Sequence, residues 1–69
     1  MDEFYRVRPK DSSLVLLDSH GATEGDYQLA KDKAIKASRG NETPYYVYYC
    51  FNQNETAVGH AINGEWHWR

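Results

Sequence analysis

Signatures of catalysis are missing from this chain of 69 residues. It carries no phosphate-binding glycine loop, dinucleotide fingerprint, His-Glu-x-x-His run or defensible pair of carboxylates. Cysteine is nearly absent too: Cys50 stands alone, which excludes an intramolecular disulfide and any cysteine-based zinc cluster. There is no long apolar run and no secretory h-region, so the expectation is a soluble, cytoplasmic chain with Met1-Asp2-Glu3 as a native start and no membrane contact. The two Asn-Glu-Thr tripeptides, at Asn41 and Asn54, then read as turns rather than glycosylation sites. An excess of one charge is lacking as well. A net charge of −2 argues against strong nonspecific nucleic-acid binding, which needs a basic surface, and falls far short of the acidity of a DNA mimic.

Aromatic residues are what the chain does have. Seven of its ten rings lie from Tyr45 onward, at Tyr45, Tyr46, Tyr48, Tyr49, Phe51, Trp66 and Trp68. The segments around them read as three strands: Tyr45 to Phe51, Thr56 to Ile62, and Glu65 to the end. Asn63-Gly64 is a strong hairpin signal, because a type I′ turn needs positive φ at both central positions. It pairs Ile62 with Glu65, Ala61 with Trp66, His60 with His67 and Gly59 with Trp68, setting both tryptophans opposite small residues.

Upstream, Phe4 to Arg8 alternates and halts at Pro9, as a short edge strand does. The apolar run Leu14-Val15-Leu16-Leu17 predicts a second strand paired to the first. Between the two groups of strands, Tyr27 to Ser38 is the one good helix. Its contact face is Tyr27, Ala30, Ala34 and Ala37, with Ile35 at the margin. Thr23 with Asp26 forms a capping pair, and Gly40 is the expected stop. The fold expected is therefore a single α+β domain over residues 1–69: a small antiparallel sheet of two N-terminal strands and a three-stranded meander, with the helix packed on one face. At this length the core is near the small end of what folds without staples.

One helix covers one face, so register decides which aromatics remain outside. A two-residue turn at Gln53-Asn54, or a four-residue turn from Asn52 to Glu55, gathers Tyr46, Tyr48, Trp66 and Trp68 on one face. It gathers Val47, Phe51, Val58 and Ile62 on the other, and a bulge would exchange the sets on the first strand. The aliphatic set is expected to form the core and the Tyr-Trp set to be a partner-binding surface. The competing arrangement packs Trp66 and Trp68 on the alanine helix.

Other constellations are weaker. His60 and His67 with Glu65 could share a metal ion, but a surface histidine pair is the ordinary reading. Asp18-Ser19-His20 holds triad residue types without triad geometry, and a mid-strand Cys50 is ordinarily a small hydrophobe. No catalytic residue, cofactor or metal is expected. The function expected is that of a small protein-binding module, of the kind used by phages and mobile elements as anti-defence inhibitors that occupy the surface of a host complex. Runner-up is weak single-stranded nucleic-acid binding through sheet aromatics, helped by Arg6, Arg8 and the helix lysines. A small structural homodimer ranks third.

Overall fold

The computed structural model describes residues 3–68 and has the expected class, one helix packed on a five-stranded antiparallel sheet. In chain order the elements are β1 (Glu3–Pro9), β2 (Leu17–Asp18), α1 (Glu24–Ser38), β3 (Tyr45–Phe51), β4 (Asn54–Ile62) and β5 (Glu65–Trp68). The strands lie side by side as β2-β1-β3-β4-β5. No helix among the described residues is long and apolar enough to cross a membrane.

Local chemistry accounts for the helix ends. Thr23 is the N-cap: its Oγ1 accepts from the Asp26 amide at 3.2 Å, and the Asp26 carboxylate accepts from the Thr23 amide at 3.1 Å. The Thr23 hydroxyl also donates to that carboxylate at 2.8 Å, and this bond, then the one from the Thr23 amide, holds the Asp26 carboxyl below its ordinary pKa. The helix starts three residues before Tyr27 because this reciprocal box satisfies its first orphan amides. At the other end Gly40 takes φ 70°, a left-handed conformation that glycine adopts without strain.

The core is narrow. Val7, Ala30, Ala34, Val47 and Ala61 are fully buried, and Tyr5, Leu16, Leu17, Ile35, Tyr45, Val58 and Trp66 pack around them. Ala30 and Ala34 let α1 lie close to the sheet, and rings from the strands fill the remaining space. Ser38, also fully buried, ties the layers together: its Oγ donates to the Ile35 carbonyl at 2.9 Å and accepts from the Gly64 amide at 2.9 Å.

Two expectations about the first hairpin are corrected. β1 is not an edge strand, since β2 flanks it on the outside. The second strand is two residues long, and Leu14 and Val15 are exposed in the preceding loop. The reason is local: Ser12 Oγ accepts from the Leu14 amide at 3.0 Å while Arg8 donates to the Ser12 carbonyl at 3.3 Å. Those bonds satisfy the loop backbone without a ladder.

Candidate functional site

Turn chemistry sets the register of the meander, and one bulge resets it. Asn63 (φ 55°) and Gly64 (φ 80°) form the expected hairpin turn, with the predicted β4–β5 pairs throughout. The β3–β4 turn falls one residue earlier than expected, at Asn52 (φ 53°) and Gln53 (φ 67°), pairing Phe51 with Asn54. Tyr48 still opposes Ala57, but Val47 opposes Gly59, so Val58 is an extra residue in β4. From that bulge onward the faces of β4 and β5 are exchanged relative to β3.

The four residues expected on one surface are therefore divided. Tyr46 and Tyr48 lie on the face away from α1, while Trp66 and Trp68 lie on the helix side. Trp66 meets Tyr27 edge-on at 6.3 Å, Trp68 stacks on Tyr27 at 5.8 Å, and the Lys31 ammonium sits 5.6 and 5.3 Å from the two indole rings. The competing arrangement forms for the tryptophans alone, while Tyr46 and Tyr48 stay on the surface first expected for them. Of the expected aliphatic core set, Val47 is in the core and Val58 packs against it. Phe51 is half-buried at the end of the helix side, and Ile62 is half-buried on the open face.

On the open face no described element covers the strands. Its centre is a file of groups running across them. Arg8 of β1 places its guanidinium 4.3 Å from the Tyr48 ring centre. Tyr48 and Tyr46 stand in near-parallel planes, 6.0 Å apart and 25° inclined. Tyr46 stacks on His60 at 5.1 Å and 24°, and His60 on His67 at 5.2 Å and 23°. At those last two spacings the rings cannot lie flat beside one another, so they stand on edge with faces turned to their neighbours. Arg8 covers Tyr48, and His60 has a ring on each side.

Beside this file runs an ion-pair network. Arg6 meets Asp18 through Nε at 2.8 Å and Glu55 through Nη1 at 3.0 Å, and Arg8 Nη2 reaches the other Glu55 oxygen at 3.0 Å. The hydrogen bonds to Asp18, then Glu55, push the Arg6 pKa above its ordinary value against the opposing effect of burial. Arg8, then Arg6, hold the Glu55 carboxyl below the usual carboxylate range. Sequence reasoning missed Glu55, because only the observed β3–β4 register places it beside both arginines.

The residues that could have done chemistry are occupied otherwise. Ser19 Oγ accepts from the Tyr5 amide and donates to the Gly21 carbonyl, both at 2.7 Å. Cys50 is 4 % exposed, and burial pushes its thiol pKa up, which keeps it from the reactive thiolate. His67 Nε2 lies 3.9 Å from Glu65, yet among the described residues no group of three or more His, Cys, Asp or Glu side chains could hold a metal ion. Comparisons with protein-family models, curated proteins and solved structures gave no match.

Proposed function

We propose that this chain is a small non-enzymatic binding protein that recognises another protein through the open face of its sheet, with Tyr46 and Tyr48 at the centre. The file from Arg8 to His67 is the observation that carries this reading. The tyrosine rings standing on edge present their hydroxyls for hydrogen bonding, with apolar flanks between them, as suits a protein surface. Ala57 and Ile62 add apolar area on the same face.

The same geometry weighs against nucleic-acid stacking. A base needs an open ring face, and here those faces are turned to Arg8 and to one another. Arg6 and Arg8 are also committed to Asp18 and Glu55 rather than held for phosphates. Inhibition of a host or defence complex, in the manner of small phage and mobile-element proteins, is the setting we favour from size and the lack of catalytic chemistry.

Capture from a host lysate tests the proposal. The Tyr46→Ser, Tyr48→Ser double variant should stay folded and lose the protein that the unaltered chain retains. Retention of every captured protein by the folded variant would refute the assignment. Tight binding of single-stranded RNA or DNA with a steep salt dependence would favour the nucleic-acid reading instead.

A further inference from the structure

The two edges of the sheet are treated differently by the sequence. On the β1–β2 side, the β2 segment and its flanks take up the outward backbone groups of β1. Ser19 satisfies both the amide and the carbonyl of Tyr5, at 2.7 and 2.9 Å. The Leu16 amide donates to the Val7 carbonyl at 2.8 Å, and the Ser12 amide to that of Pro9 at 3.4 Å. Pro9 itself has no donor to offer. β2, the outermost strand on that side, is only two residues long and offers little ladder to a further strand.

On the β5 side no described strand lies beyond Glu65–Trp68. A two-residue turn makes Ile62 and Glu65 a hydrogen-bonded pair, and pairs alternate from there. His60 and His67 are then bonded, while Trp66 and Trp68 turn their main-chain groups outward. The side chains at this edge are exposed on both faces: His67 at 48 % on the open face, where the file of rings ends, and Trp68 at 67 % on the helix side. Neither lysine nor proline guards the strand.

We propose that β5 pairs antiparallel with β5 of a second copy of this chain, forming a two-fold dimer with a continuous ten-stranded sheet. The register is self-complementary: with His67 beside His67 of the other copy, each Trp66 opposes a Trp68, and all four of these residues present outward donors and acceptors. The file of stacked rings then continues from one copy into the next. Because each β5 is used up by its symmetric partner and the opposite edge strand is only two residues long, pairing ends at two copies and does not propagate into a fibre. A second copy also supplies what this small core lacks, since with one cysteine there is no intramolecular disulfide to staple it. The two open faces lie on the same side of the joined sheet. This inference does not rest on the partner reading above.

Sedimentation equilibrium from micromolar to millimolar concentration decides it. The unaltered protein should move toward twice its 8.0 kDa mass. Trp68→Ala keeps the outward amide, whereas Trp68→Pro removes it at a position where an edge strand accepts proline. Two interchain bonds are lost per dimer, so Trp68→Pro should dimerise about thirtyfold more weakly than Trp68→Ala. The Tyr46→Ser, Tyr48→Ser variant should remain dimeric, which separates failure of this inference from failure of the binding proposal. A monomer at millimolar concentration, or equal dissociation constants for the two Trp68 variants, would overturn it. Should Trp68→Pro not fold, hydrogen exchange on the unaltered protein decides. The Trp66 and Trp68 amides must gain protection as concentration rises, and free exchange in a dimeric sample would contradict the pairing.

Discussion

The two faces of one sheet are built from the same residue types to different ends. On the helix side, large rings close over very small partners. Trp66 lies against Gly59 so tightly that a Cβ there would overlap Cζ2 and Cη2 of the indole, and Ala30 and Ala34 bring α1 down onto Val7 and Val47. On the open side, Tyr46, Tyr48 and His60 are half-buried among one another, Arg8 and His67. Burial against a second layer stabilises the first set; the second gains little more than a mutual, partly solvated stack. An aromatic ring thus reveals its work by what covers it, not by its identity.

The largest expected effect comes from opening the covered face. Trp66→Ala should cost about 3 kcal/mol in chemical denaturation, as expected for removing a large packed ring. Trp66→Phe should cost far less, because the buried Nε1 makes no hydrogen bond within the described structure. Equal losses from the two substitutions would show that the indole nitrogen has a partner. Gly59→Ala comes next. With no room for a Cβ beneath Trp66, overpacking should destabilise by about 2 kcal/mol, and a neutral result would mean that the ring is not held there.

The smallest effect belongs to the ion pairs of the open face. Since Arg8 and Arg6 lower the folded-state pKa of Glu55, their contribution is fully present above the ordinary glutamate range and fades as pH falls through the lowered value. Glu55→Gln should flatten that acid limb of a stability–pH curve while costing about 1 kcal/mol or less at neutral pH, as partly exposed pairs do. An unchanged acid limb would place the responsible carboxylate elsewhere, with Asp26 the next to replace.

Much of the fold was legible because its signals are local. Asn63-Gly64 fixes a turn, Thr23 and Asp26 fix a helix start, Gly40 fixes its end, and the β4–β5 pairs follow by counting. The face assignment was not legible. In Tyr45 to Phe51 both alternating sets are aromatic, so periodicity cannot say which one turns inward. The bulge at Val58 has no sequence mark of its own: it arises where Val47 must reach Gly59 while Tyr48 remains opposite Ala57. Tyr46 and Tyr48 could thus be named as surface candidates, but their separation from Trp66 and Trp68 depends on one residue of register. Glu55 was hidden for a different reason: the turn at Asn52-Gln53 falls one residue earlier than expected and brings Glu55 opposite Cys50.

The division between the two faces is tested most directly by thermal unfolding of the Tyr46→Ser, Tyr48→Ser variant alongside its capture of the partner protein. The account predicts a melting temperature within a few degrees of the unaltered chain together with loss of the partner. A variant that unfolds as readily as Trp66→Ala, or that melts normally and keeps its partner, would contradict it.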